Sequence, residues 1–132
     1  MLRKTKTDPP TSPVEYPSGC FVKTEKGYFY IVNDSKRYRL TTKRVLDSWN
    51  PHRVIETTEA AVRGYRITAK MKFRNGSLIH NLADGKIYLV SDGKRRHVTS
   101  PDVLVRIGAT RKDIVSVSLD EIKLHEEGVP LS

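Results

Sequence analysis

The sequence predicts an α+β protein of two tandem repeats, each a small antiparallel three-stranded meander followed by a short helix and a capped helical turn, with an extended N-terminal arm. Three observations lead there. "GYFYIVNDSKRYRLTT", from Gly27 to Thr42, can be written beneath "GKIYLVSDGKRRHVTS", from Gly85 to Ser100, almost residue for residue. Short runs of aromatic and β-branched residues alternate with turns rich in Gly and Asp, as strands of a meander do. Thr42 and Ser100 each stand before an apolar stripe at helical spacing, where an N-cap belongs.

The chain divides into a Pro-rich arm (1–15), a first repeat (16–63), a basic connector (64–72), a second repeat (73–128) and a tail (129–132). Pro9, Pro10 and Pro13, set among Thr, Ser and charged residues, bury too little apolar surface to offset the entropy of ordering. The arm is therefore expected to be extended and to order against a partner.

Each repeat opens with an aromatic, two spacers, Gly and an apolar strand: "YPSGCFV" from Tyr16 and "FRNGSLI" from Phe73. First strands are expected at Cys20 to Lys23 and Ser77 to His80, with turns at Lys26-Gly27 and Asp84-Gly85. Second strands follow at Tyr28 to Val32 and Lys86 to Val90. Asp34-Ser35 and Asp92-Gly93 then form tight hairpin turns, Gly93 supplying a positive φ. Third strands run from Lys36 to Leu40 and from Lys94 to Val98. Thr42 and Ser100 cap short helices, with Pro101 at the first helical position. Val45, Leu46 and Trp49, matched by Val103, Leu104 and Ile107, form the apolar stripe, and Asn50 and Gly108 take the left-handed position beyond each helix. An extended piece (Val54-Ile55; Ile114 to Val117) and a capped turn close each repeat, Ser118 and Glu121 having capping-box spacing. The connector, with alternating Tyr65, Ile67 and Met71, has the pattern of a further strand. Units of roughly 55 residues are marginal as independent cores, so the two should pack together or on a partner.

The formal charge of +9 favours acidic partners: nucleic acid, an anionic surface or an acidic protein face. No apolar run is long enough for a membrane span, and "MLRKTKTDPPTSP" has no apolar stretch after its basic residues, so neither membrane insertion nor secretion is expected. The single Cys20 rules out an internal disulfide and reads as a small core residue.

Little converges on catalysis. His52, His80, His97 and His125 lie apart without metal-ligand spacing. No Gly-rich phosphate loop and no nucleophile elbow occur. Asp34 and Asp92 sit at hairpin tips, where Asp serves the turn; Glu121, Glu126 and Glu127 are expected in a solvated turn and tail. The expectation is no enzyme, no metal and no cofactor. The basic hairpins have more content. "KRYRL" sends Arg37 and Arg39 to one face of the strand, and "KRRHV" does the same with Arg95 and His97. Lys36, Arg37, Arg39, Lys94, Arg95 and Arg96, with Tyr30 and Tyr88 as flat exposed groups, make candidate contact edges, joined by Arg3, Lys4, Pro9 and Pro10 of the arm. A strand edge protected from aggregation by its Lys and Arg has the same composition.

"GKIYLVSDGKRRHVTSPDVLVRIG" and "DIVSVSLDEIK", after the aromatic-x-x-Gly-x-apolar-apolar opening, resemble a short repeat of bacterial cell-surface proteins and of tailed-bacteriophage virion structural proteins. The second repeat matches along nearly its whole length; the first departs at Ser35, Tyr38 and Asn50. The resemblance implies a non-enzymatic adhesion or assembly module and carries no catalytic residues. The expected function is a bacteriophage virion structural protein, in capsid or tail, whose arm and basic hairpin edges hold neighbouring subunits in a large assembly. The alternatives are a nucleic-acid-binding protein and a bacterial surface adhesion module.

Overall fold

A computed structural model describes residues 8–132. In chain order the elements are β1 (Cys20–Lys23), β2 (Phe29–Asn33), β3 (Lys36–Leu40), α1 (Lys43–Ser48), β4 (Val54–Glu56), α2 (Glu59–Val62) and β5 (Arg66–Lys70). There follow β6 (Leu78–Asn81), β7 (Ile87–Ser91), β8 (Lys94–His97), α3 (Pro101–Arg106), a 3₁₀ turn (Arg111–Asp113), β9 (Ile114–Val117), α4 (Leu119–Ile122) and β10 (Glu126–Glu127). The class is α+β: two five-stranded sheets and four short helices among the described residues.

The described chain forms two compact units, one of residues 8–41 and 51–70, the other of residues 42–50 and 71–132. Chain order alone would leave α1 with the meander it follows; its contacts group it with the second unit.

In the first unit the strand order is β4-β1-β2-β3-β5. The meander β1-β2-β3 is antiparallel, and β4 and β5 add to its two sides in parallel. Period-two alternation turns Val22, Tyr30 and Val32 to one face, where Val62 of α2 and Tyr65 complete a buried cluster. Tyr16, Cys20, Tyr28 and Ile55 pack around it. The β2-β3 loop has two residues, and Asp34 takes φ 54°, a left-handed value that its short polar side chain tolerates. Thr58 caps α2, its side chain accepting from the Ala61 N–H.

In the second unit the order is β9-β6-β7-β8-β10, with antiparallel pairing in the meander and parallel pairing at both flanks. Leu78, Val98 and Val103 of α3 form one buried cluster, flanked by Ile87, Leu89, Leu104 and Ile114. Asp92 and Gly93 both take positive φ, 51° and 76°, as a two-residue hairpin turn needs. Thr42 caps α1 by accepting from the Val45 N–H, whereas Ser100 makes no such side-chain bond at α3, which begins on Pro101. Asn50 and Gly108 follow α1 and α3 with φ of 47° and 78°.

Candidate interaction surface

The structure corrects the expected exposure of the basic hairpins. β3 and β8 are not edges: β5 covers the outer side of β3, and β10 covers that of β8. Tyr30 and Tyr88 are buried, 3% and 5% exposed, and offer no flat surface to a partner. Arg37 is buried as well, and Arg39, Arg95 and Arg96 are half-buried. Alternation does put Arg37 and Arg39 on one face, but that face is the one that α2 and Tyr65 close over.

Buried there, the cations serve the scaffold. Arg37 lies over the Tyr30 ring, 4.9 Å to the centroid, and its Nη1 donates to Glu59 Oε1 at 3.3 Å. The Tyr30 hydroxyl donates to the same oxygen at 3.2 Å. Burial, helped by the Glu59 carboxylate, pushes the Tyr30 phenol up. Arg39 stacks on Tyr28 at 3.8 Å, a cation–π contact that spends its guanidinium inside the unit.

Arg95 faces Tyr88 at 5.7 Å, and its Nη1 donates to the carbonyls of Ile122 and His125. His125, 1% exposed, bridges the turn to the start of the unit. Its Nε2 accepts from the Phe73 N–H at 3.2 Å, which leaves Nδ1 to donate to the Gly93 carbonyl at 2.8 Å. Burial lowers the His125 pKa, and the cations Lys72 and Arg95 lower it further. Arg96 Nε donates to the Val129 carbonyl at 2.8 Å, tying the tail to β8. Lys36 is half-buried and Lys94 is exposed, and the hairpin tips present the acids Asp34 and Asp92 to solvent beside them.

Part of the arm is also spent on its own chain. The Pro10 carbonyl accepts from Thr58 Oγ1 at 2.6 Å, the Val14 N–H donates to the Ala61 carbonyl at 2.9 Å, and the Tyr16 N–H donates to the Tyr65 hydroxyl at 2.7 Å. Segment 10–16 thus orders along α2, because that short helix has backbone and cap groups that nothing else satisfies. Pro9 is exposed. Arg3 and Lys4 lie outside the described residues.

Glu121 was expected in solvent and is 1% exposed. It is the third residue of α4, where the capping box turns it back to the Ser118 N–H at 2.9 Å. The remaining lone pairs accept from Arg44 Nε and Nη2 and from Thr42 Oγ1 at 2.7 Å, all within the second unit. Burial opposes the charge, but the hydrogen bonds from Arg44, Ser118 and Thr42 prevail and hold the carboxyl at about 2. Capping-box spacing pointed to the Ser118 bond; nothing in the spacing of Arg44 and Glu121 announced their pairing.

Exposed cations also lie on the connector. All five residues of β5 are exposed, and β5 is the end strand of its sheet. Its register sets Arg66 opposite Lys36 and Lys70 opposite Arg39. Like charges directly across a strand pair are destabilising. In the second unit the corresponding pairs are opposite in sign, Lys94 with Glu126 and Arg95 with Glu127.

No group of three or more His, Cys, Asp or Glu side chains among the described residues is placed to hold a metal ion. No helix among them is long and apolar enough to cross a membrane. Compared with family models, curated proteins and solved structures, the chain finds no significant match in any of the three.

Proposed function

We propose that the chain is a non-enzymatic structural protein of a tailed-bacteriophage virion, in capsid or tail, built from two copies of one β-unit and working by contact with neighbouring subunits. The observation that carries this reading is the use made of the polar side chains. Arg37, Glu59, Arg95, Glu121 and His125 are each spent on holding elements in place, while Arg66 and Lys70 stand exposed on an open sheet edge. A scaffold that spends its buried charges on structure and carries cations on a sheet edge suits recognition by surface.

The doubled unit is supported by parallels of detail. Both sheets have an antiparallel meander with one parallel strand on each side. The Tyr16 N–H bonds the Tyr65 hydroxyl in one unit, and the Phe73 N–H bonds His125 Nε2 in the other. The Gly19 N–H meets the Val32 carbonyl at 2.7 Å, and the Gly76 N–H meets the Val90 carbonyl at 2.7 Å. The resemblance of the Gly85 to Gly108 stretch to virion repeats supplies the setting. The test is sedimentation of assembled particles from an infected host, followed by detection of the chain by mass spectrometry. The chain should travel with the particles at a fixed ratio to the major shell or tail protein, and its recovery only in the soluble fraction overturns the reading.

Nucleic-acid binding is the second reading, favoured by the +9 charge and the cationic β5 edge. It requires an affinity for DNA that falls steeply with salt. Micromolar binding at physiological salt would establish it over the first.

A further inference from the structure

The like-charge pairs along β5 leave one sheet edge without a satisfactory partner. Arg66 faces Lys36 and Lys70 faces Arg39, with Arg63 exposed just upstream. None of Arg63, Arg66, Lys70 and Lys36 has an ion-pair partner among the described residues. β5 ends its sheet, so among the described residues one side of its backbone has no neighbouring strand, and Ile67 beside Arg66 is 65% exposed. The edge combines unpaired backbone groups, an apolar side chain and uncompensated positive charge.

We propose that the outer edge of β5 is a docking site for an acidic extended segment of a neighbouring protein, which adds to the sheet as a further strand. This deepens the assembly reading by naming the surface and the chemistry of its partner. Strand addition supplies main-chain hydrogen bonds to the open side of β5, and alternate side chains give specificity. Asp or Glu brought beside Arg66 and Lys70 turns two unfavourable cross-strand pairs into charge-balanced clusters. Ile67 would be covered by an apolar residue of the incoming strand. Charge on an edge strand guards against indiscriminate pairing. Here that guard rejects basic strands, including β5 of a second copy, and admits acidic ones.

A strand fits the edge better than nucleic acid does. Tyr28, Tyr30 and Tyr65 of this unit, which could stack on bases, are drawn into its core, and an open backbone edge with Ile67 gives a phosphate chain nothing beyond charge.

The test uses the full chain and a fluorescein-labelled peptide of alternating Glu and Val, read by anisotropy. The comparison probes are a Gln-Val peptide, the Glu-Val peptide with alternate amides N-methylated, and oligo-dT. The chain should bind Glu-Val, and should bind both the Gln-Val and the N-methylated peptides about tenfold more weakly or worse. The double variant Arg66→Glu/Lys70→Glu should lose Glu-Val binding while keeping its thermal transition, since both residues are exposed. No binding of Glu-Val, or equal binding of the N-methylated peptide, overturns the proposal. Tighter binding of oligo-dT, competing with the peptide, also overturns it and marks the edge as a polyanion surface. Particle sedimentation decides the assembly reading separately: particles that contain the chain although Glu-Val does not bind would sink the edge alone.

Discussion

Glu121 and Arg44 lie 77 residues apart in sequence and share three hydrogen bonds from the guanidinium, with Nη2 at 2.9 Å and Nε at 3.0 Å from Oε1, and Nε at 3.1 Å from Oε2. The carboxylate is buried and the guanidinium half-exposed, so the pair fixes the first turn of α1 against the first turn of α4 in the second unit. A buried acid is costly unless its lone pairs are filled, and here Ser118 and Thr42 fill the rest.

Replacement of Glu121 by Gln keeps the shape of the side chain and removes its charge. It is expected to destabilise the chain by about 2 kcal/mol in urea unfolding near neutral pH. The acid limb should change too. In the native chain the carboxyl is held at about 2, against an ordinary value of 4.5. The unfolded state therefore takes up the proton first as pH falls. The contribution is complete above pH 4.5 and is lost progressively down to about 2. The variant should lack this part of the pH dependence, and an unchanged acid limb would contradict the role given to Glu121.

His125 acts in the same sense at higher pH. Burial lowers its folded pKa below the ordinary 6.5, so the unfolded chain protonates first on acidification. Its stabilising effect is full above pH 6.5 and diminishes as pH falls below that value. His125→Tyr places a hydroxyl where the other unit has Tyr65, and should flatten the stability profile between pH 7 and 5. His125→Ala should cost about 3 kcal/mol, because the Phe73 N–H and the Gly93 carbonyl lose their partner. Calorimetric melts across this pH range check both.

The Arg37–Glu59 pair provides a test of compensation. Glu59→Leu alone leaves a buried guanidinium without its carboxylate and should cost about 3 kcal/mol. Adding Arg37→Met should recover most of that loss, since an apolar pair of similar volume replaces the buried ion pair. A double-mutant cycle by urea unfolding gives the coupling directly, and strictly additive losses would refute it.

Truncation separates the two roles of the arm. Removal of residues 1–7 leaves the Pro10 and Val14 hydrogen bonds in place. Removal of residues 1–15 deletes both, and should lower stability by about 1–2 kcal/mol while both sheets remain folded. On the assembly reading the longer truncation also weakens incorporation into particles; normal incorporation would end the arm's part in that reading.

The local elements were legible because their causes are local. The second strands were read at their places, Asp92-Gly93 marked a turn, and Thr42 and Ser118 announced helix starts, although Tyr30 and Tyr88, read as exposed, are buried. β4 and β9 read as extended pieces, although their parallel pairing to β1 and β6 was not visible in their own residues. The exposure of the hairpins was misjudged because alternation says which residues share a face and not what covers it. Arg37 and Arg39 share a face as expected, and α2 with Tyr65 lies over it. Charge was read as solvent exposure, yet Arg37 reaches a carboxylate and two Arg reach aromatic rings across the sheet.

By itself, then, the sequence determined an α+β chain of short strands, tight turns and capped helical turns, with a strong positive excess. The tertiary structure alone decided where that charge goes: Arg37, Arg39 and Arg95 inward as structural cations, Arg66 and Lys70 outward on an open edge. It also joined Arg44 to Glu121 and α1 to the second unit. The physical reason is range. Turns, caps and strand alternation depend on neighbours within a few residues, whereas the burial of a charge depends on partners brought from far along the chain.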